Sequence, residues 1–391
     1  MSKLQDLIRE FCPNGVEYKK LGEILDYEQP TKYIVKSTEY DNSYNIPVLT
    51  AGQTFILGYT NETFGIYKAN QEKSTIIFDD FTTSFHWVDF EFKVKSSAIK
   101  MLTPKSTFTG SFKYVYYAMK CIKFEAIDHT RHWIAKYSQF EIPLPPLSIQ
   151  EEIVRILDRF TELQAELQAE LQARQEQYEY YLDRLFDLKT EFVIYKLSDI
   201  CTAIGDGLHG TPKYKDNGDY FFINGNNLVR GKITLNSQTK RIGYEEFCKY
   251  GLNFNSDTVF LSINGTIGNV ALYNKEQIAL GKSVAYFVIN PLFLNVKFLY
   301  YYFKSKYARI YFESNSTGST IKNLGLKALR NMAIQVPSLS EQQRIVSILD
   351  KFETLVNDLS QGLPAEIAAV QEQYEYYRNK LLLFPKNKVS A

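Results

Sequence analysis

The sequence has little of what most catalytic and metal-binding proteins need. Among 391 residues there are only four cysteines and four histidines. Cys12, Cys121, Cys201 and Cys248 lie far apart and form no Cys-x-x-Cys pair, which argues against disulfides and zinc alike. His86, His129, His132 and His209 are scattered without acid partners at ligand spacing, so no metal site is expected. There is no run of 18 apolar residues to cross a membrane, and the opening MSKLQDLIREF lacks the apolar core of a signal peptide. No Asn-Pro-Pro-Phe or Asp-Pro-Pro-Tyr tetrapeptide of an amino-methyltransferase is present, nor a glycine-rich cofactor loop with a partner acid. Ala279-Leu280-Gly281-Lys282-Ser283 resembles the end of a phosphate loop, but Glu276 stands where the upstream glycine belongs, so a strand entering from a turn is expected there. Asp80 with Glu91-Phe92-Lys93 faintly resembles nuclease acids; an alternating strand with a charged outward face accounts for them better. A cytoplasmic protein that is not an enzyme is the expectation.

What is there is a long repeat. Pro145 to Leu185 has no interior glycine or proline and is rich in Leu, Ala, Gln, Glu and Arg, the residues that lose least on entering a helix. Apolar residues at Ile153, Ile156, Phe160, Leu163 and Leu167, then Tyr178, Tyr181 and Leu185, make a coiled-coil-like seam. About 40 residues would span roughly 60 Å. Pro337 to Leu381 repeats the stretch: IVRILDRF (Ile153 to Phe160) returns as IVSILDKF (Ile345 to Phe352), and QEQYEYY is identical at Gln175 to Tyr181 and Gln371 to Tyr377. The edges repeat too. IPLPPLS (Ile142 to Ser148) mirrors IQVPSLS (Ile334 to Ser340), and Tyr18-Lys19-Lys20-Leu21 mirrors Tyr195-Lys196-Leu197. The amino-terminal helix then stands where a continuation of the last helix would lie, as if the chain were a circle cut once.

Between these edges lie two strand-rich modules that share little sequence. The expected organisation is 1–145, a first module with a short amino-terminal helix; 146–189, a central helix; 190–336, a second module; and 337–391, a distal helix and tail. The fold class is α+β: two globular α/β modules separated by two long antiparallel helices in a pseudo-twofold, circular repeat. Net charge is only +1, but its distribution is uneven. Residues 147–190 carry ten acids against five bases and residues 335–384 seven against four, so the helices sum to −8 and the remainder to +9. Basic modules on an acidic frame suit phosphate contact by the modules alone.

Base edges are read by side chains with paired donors and acceptors, and phosphates are held by cations, hydroxyls and backbone N–H groups. In the first module the candidates are Thr50 and Gln53, Thr82, Thr83 and Ser84, Lys113 at the start of a late helix, and Arg131 and His132. In the second they are His209, Thr211 and Lys213 in a glycine-rich loop, Asn224, Asn226 and Asn227, Asn264 and Thr266, and Ser319 and Lys322. Each loop taken alone fits ordinary Asx and Ser/Thr turn chemistry; the two-module plan is what raises the set above that. Aromatic residues beyond the seam suit protein binding, which points to Tyr178, Tyr180 and Tyr181 and their repeats Tyr374, Tyr376 and Tyr377 as a partner surface.

The duplicated IPLPPLSIQEEIVRILDRF and VPSLSEQQRIVSILDKF segments, the repeated QEQYEYY, the PNGVEYKKLGEI opening and the GLHGTPKY loop together resemble the specificity subunit of type I restriction–modification systems over nearly the whole chain. The resemblance implies two target-recognition domains, each reading one half of a split, asymmetric site in double-stranded DNA. It implies as partners two modification subunits, which are S-adenosylmethionine-dependent adenine methyltransferases, and motor-nuclease restriction subunits. S-adenosylmethionine, ATP and Mg would then sit in those partners and none in this chain. Three tetrads led by Leu163, Leu167 and Leu171 resemble a spacer repeat whose copy number sets the gap between half-sites. One tetrad adds about 6 Å of helix and turns roughly 400°, enough to change a gap by about one base pair. In the second helix Gln361-Gly362-Leu363-Pro364 replaces the tetrads and should kink or restart it before Ala365. The rival reading is a repeat scaffold that organises proteins without touching DNA, although such a scaffold has no need of +9 outside its helices.

Overall fold

A computed structural model describes residues 2–52, 54–124, 130–187, 192–250 and 252–387. The chain forms two compact units: Met1–Ala165 together with Ala369–Ala391, and Glu166–Ala368. The two long helical stretches therefore contribute residues to both.

The first is one continuous helix, Leu147–Leu185, of 39 residues, about 58 Å at 1.5 Å per residue. The second is broken, as its sequence leads one to expect. It runs Leu339–Asn357, stops, and restarts as Leu363–Leu381. The stop is chemical. Asp358 turns away from helix and its carboxylate accepts from the Ser360 N–H and hydroxyl at 2.7 and 2.6 Å. Gly362 then passes so close to the preceding turn that a Cβ would lie 2.4 Å from the Thr354 carbonyl oxygen, so only glycine fits. Pro364 sits in the first turn of the new helix, where its missing N–H costs nothing.

Each unit contains the same sheets despite the dissimilar sequences. In the first, Glu17–Lys20 pairs with Glu141–Leu144, and an antiparallel sheet runs in the order Leu25–Glu28, Ile99–Pro104, Thr75–Asp79, Phe85–Val88. A three-stranded sheet, Ile56–Thr60, Ile46–Leu49, Lys93–Val94, has its last pair parallel. In the second, Val193–Lys196 pairs with Ala333–Val336, and the antiparallel order is Cys201–Asp206, Val284–Ile289, Thr258–Ser262, Val270–Leu272. Its three-stranded sheet, Arg241–Ile242, Tyr220–Ile223, Ile278–Leu280, again ends in a parallel pair. Val, Ile, Phe and Thr dominate these strands; Thr75–Asp79 and Thr258–Ser262 are buried along nearly their whole length, Ile76 and Phe78 packing in one core cluster and Ile77 in another.

The repeat extends to individual hydrogen bonds. The late helices Phe112–Met119 and Val296–Lys304 are capped by Ser111 and Asn295. Gln150 accepts from the Ser111 N–H and donates to the Pro145 carbonyl (2.9 and 2.7 Å); Gln342 does the same with Asn295 and Pro337 (2.7 and 2.9 Å). Tyr117 donates to Asp158, which also pairs with Lys113; Tyr301 donates to Asp350, which pairs with Lys297. One buried amide and one buried tyrosine thus clamp each late helix to its frame helix through partnered polar groups.

The amino-terminal helix meets the segment that follows the last helix within the first unit. The helix Ser2–Phe11 buries Leu4 beside Leu381, Leu382 and Phe384. Val16 bridges Lys386, and the Tyr18 hydroxyl donates to the Phe384 carbonyl at 2.6 Å. These contacts join the two segments that the repeat placed side by side.

Two charges sit otherwise than the alternating pattern suggested. Lys93, expected on an outward face, is fully buried and pairs with Glu62 at 3.0 Å while donating to the Phe64 and Gly65 carbonyls. Asp80 is buried too, 3.2 Å from Lys100, and accepts from the Trp133 N–H. Both are core ion pairs; Glu62 also accepts from the Lys36 and Ser37 N–H groups, while the Asp80 oxygen facing Lys100 has only that ammonium and no hydrogen bond of its own. Gly281 to Ser283 turn from one strand into another, so no helix opens behind that glycine.

Candidate nucleic-acid interface

In the second unit four polar loops converge on one cleft of about 410 Å³, lined by Asp206, His209, Asn264, Lys282 and Asn323. The glycine-rich loop after Cys201–Asp206 is held by Leu208, which donates to the Leu280 carbonyl and accepts from the Lys282 N–H (2.8 and 3.0 Å). A Cβ on Gly207 would meet the Leu280 carbonyl oxygen at 2.2 Å, so glycine is required for this approach. His209 is exposed and its Nε2 lies 2.7 Å from the Asp206 carboxylate, which orients the ring. The Ser262–Gly268 turn meets the hairpin Ser316–Thr317/Asn323–Leu324: the Asn264 amide donates to Asn323 at 3.3 Å, and the Gly265 N–H to the Lys322 carbonyl. Ser283 joins the next loop by donating to Asn224 and accepting from the Gly225 N–H.

His209, Asn264, Lys322 and Asn224 therefore share one loop surface, with Thr266 and Ser319 exposed on its rim. Asn226 is exposed beside them. Asn227 is spent internally: its amide accepts from the Asn224 N–H and donates to the Thr234 carbonyl. Thr211 and Lys213 are exposed farther along, where the Lys213 backbone is pinned by Glu246. Lys282 and Asn323 were missed by sequence reasoning. Lys282 had a signal, its place after Gly281, but as a phosphate-loop resemblance rather than a cleft wall; Asn323 had none beyond ending the loop that holds Lys322.

In the first unit the candidates cluster on the hairpin Thr75–Asp79/Phe85–Val88. The Asp79 carboxylate accepts from the Phe81 and Thr82 N–H groups (2.9 and 2.8 Å), and the Thr82 and Ser84 hydroxyls lie 2.6 Å apart. Thr82 is exposed and Ser84 half-exposed. Thr83 is nearly buried at the tip, with φ +60°, a left-handed conformation that threonine adopts only at a cost. Thr50 accepts from the Gly52 N–H and donates to the Thr54 carbonyl, and His86 bridges this loop to the hairpin with Nε2 2.9 Å from the Gly52 carbonyl. Gln53 and His129 lie outside the described residues. Arg131 is exposed.

Several candidates are placed otherwise than expected. His132 is fully buried under the loop, with its backbone donating to Asp80 and its ring against Phe124, so it presents nothing to a base edge. Lys113 is held by Asp158 at 3.1 Å and lies over the Trp87 ring, a frame contact. Among the tyrosines, Tyr178 and Tyr374 are buried in the helix seams of their own units, the first donating to Glu353 and the second against Phe160. Tyr181 and Tyr377 stack on Phe352 and Phe160 at 5.4 and 5.7 Å. Tyr180 and Tyr376 are 61% and 59% exposed, and Tyr181 keeps an exposed edge. Of the tetrad leucines, Leu163 is exposed, Leu167 is buried and Leu171 packs on the second unit's core.

The model of the type I restriction modification DNA specificity domain matches the chain twice, over residues 13–176 and 189–369. The chain is 42% identical, over 99% of its length and 98% of the relative's, to the Escherichia coli type I restriction enzyme EcoR124I/EcoR124II specificity subunit. It is 33% identical to a putative type I restriction enzyme specificity subunit of Haemophilus influenzae, covering 94% and 96%. Two solved structures share its fold. One, from work on complex assembly and conformational transition of the type I R-M system, has TM-score 0.61 at 18% identity, covering 95% and 98%. The other, the type I restriction–modification S subunit of M. genitalium, has TM-score 0.58 at 15% identity, covering 94% and 96%.

Proposed function

The chain belongs to the specificity subunits of type I restriction–modification systems, and from that membership we infer how its two units work. It is the non-catalytic component that reads a bipartite, asymmetric DNA site, one half per domain, and positions adenine methyltransferase and restriction subunits on it. The observation that carries the reading is the contrast between frame and loops. The frame repeats down to Gln150 and Gln342, while the loops offer unlike polar groups: His209, Asn264 and Lys322 in one unit, Thr82, Ser84 and Arg131 in the other. Unlike donor and acceptor sets on a common scaffold suit two different half-sites. Contacts to phosphate by the exposed cations would fix register, and the loop amides would choose bases.

The leucine tetrads set the gap between half-sites by the length they add to the central helix. S-adenosylmethionine, ATP and Mg belong to the partner subunits, and this chain binds none of them. Tyr180 and Tyr376 contribute to the surface that docks the methyltransferases. No helix among the described residues is long and apolar enough to cross a membrane, and the site of action is the cytoplasm, where the DNA is. Methylome sequencing of cells expressing the chain with its modification subunit tests the reading. A new split motif with methyladenine in both halves is expected; an assembled complex that adds no methylation would overturn it.

A further inference from the structure

The two frames differ at the partly buried Glu353. In the second unit Glu353 accepts from three groups: the Tyr178 hydroxyl at 2.6 Å, the Tyr300 hydroxyl at 3.1 Å and the Lys304 ammonium at 2.7 Å. The repeat, anchored by the Asp158/Asp350 and Tyr117/Tyr301 pairs, places Tyr374, Tyr116 and Lys120 opposite these three in the first unit. There the counterpart of Glu353 is Thr161, whose hydroxyl donates to the Leu157 carbonyl. No carboxylate among the described residues lies within ion-pair distance of Lys120, and the buried Tyr374 hydroxyl faces only the Lys120 and Arg378 cations, with no hydrogen bond of normal geometry.

A second change adds charge. The counterpart of Leu182, buried in the second unit's core, is Arg378 in the first. Arg378 lies over the Tyr374 ring and, like Lys120, has no carboxylate partner among the described residues. Burial holds the Lys120 ammonium below its usual pKa, with Arg378 adding to the effect. Two like charges close together favour a bound anion. Both line a cleft of about 360 Å³, together with Thr83 and Ser84 at the hairpin tip.

We propose that this cleft holds a DNA backbone phosphate, gripped by Lys120 and Arg378 with the Ser84 hydroxyl, and that the second unit has no equivalent site because Glu353 fills it from within. The proposal rests on the DNA-reading function. A phosphate fits better than an acidic protein side chain because the cleft opens at the hairpin tip that carries the module's exposed hydroxyls. The contact is independent of base sequence and makes the two half-sites unequal in electrostatic grip.

The test uses the assembled specificity–modification complex with Thr161→Glu, which should close the site from inside as Glu353 does, and Arg378→Leu, which copies Leu182. Binding is measured on cognate and unrelated duplexes from 50 to 200 mM salt. One lost phosphate contact lowers the slope of log affinity against log salt by about 0.9, so the parent's advantage over each variant should shrink by about 3.5-fold across that range. The loss should be the same on both duplexes. Unchanged affinity and slope in both variants would overturn the proposal, as would a loss confined to the cognate duplex or tighter assembly defects without any salt effect. If the parent complex bound no duplex at all, the DNA-reading function itself would fail and this site with it. Thr161→Glu should also raise the thermal midpoint, since Tyr374 and Lys120 gain a partner, which separates a filled site from a misfolded one.

Discussion

Glu353→Thr in the second unit is the sharpest probe of the frame, because it imposes there what the first unit has naturally. The carboxylate takes three donors, and Lys304 and Glu353 are each less than a quarter exposed. Removing one member of such a pair leaves an uncompensated charge and two unbonded tyrosine hydroxyls, which costs about 3 kcal/mol where some solvent access remains. That corresponds to a roughly 150-fold loss of amide protection. Adding Lys304→Leu removes the stranded charge and should recover about half of the loss, whereas independent sites would add. Hydrogen exchange resolved to Val296–Lys304 is the assay, since a chain of two units need not unfold in one step. A cost under about 1 kcal/mol, or a double variant worse than the sum of its parts, would refute the argument that Glu353 ties this helix to the frame.

Deleting Leu167–Glu170, one tetrad of about 6 Å, should shorten the preferred gap by about one to two base pairs and leave both half-sites unchanged, as read by methylome sequencing; altered half-sites would end the spacer idea. Lys100→Ala, which strands buried Asp80, should destabilise the first unit by about 3–5 kcal/mol in urea unfolding, while Lys68→Ala, at an exposed pair, should cost under about 1 kcal/mol. Tyr178→Ala should lower stability by about 3 kcal/mol or more, and Tyr180→Ala should leave stability intact but weaken methyltransferase assembly, measured by titrating the subunits. The Arg155 guanidinium beside Glu152 holds that carboxyl below its usual 4.5. A lowered folded pKa stabilises above the unfolded value and is lost as pH falls through the folded one. Arg155→Gln should therefore lower stability at neutral pH and flatten its decline below pH 4.5.

The helices were legible because their signals are local: composition without breakers, a seam of period 3.5 to 3.6, and a Gly-Leu-Pro interruption that the backbone could not ignore. The strands were legible in apolar runs such as Ile46–Leu49 and Thr75–Asp79, whereas the alternating stretch around Glu91 to Lys93 is strand only at Lys93–Val94. Side-chain fate was less so. Tyr178, Tyr180 and Tyr181 read as one aromatic cluster, yet a helix flanked by a partner helix and a module has more than one buried face, and period alone does not say which tyrosine meets which. His132 follows Thr130 and Arg131 in a polar string but turns inward under Phe124. Lys93 and Lys100 find their carboxylates 31 and 20 residues away, at Glu62 and Asp80, so no local window contains the pair.

By itself the sequence determined the frame: two copies of a helix, their shared edges, and modules of unlike composition, because propensity and periodicity act over a few turns. The identities Thr161 and Glu353, Arg378 and Leu182 were there to be read as mismatches in a repeat. Only the tertiary structure decided what they mean. It placed Lys120 and Tyr374 where Glu353 serves Lys304 and Tyr178, and it gathered His209, Asn264, Lys282 and Asn323 from four loops into one cleft. A charge is a core pair or an open hand for phosphate according to what lies within a few ångströms, and that distance is set by packing between segments far apart in the chain.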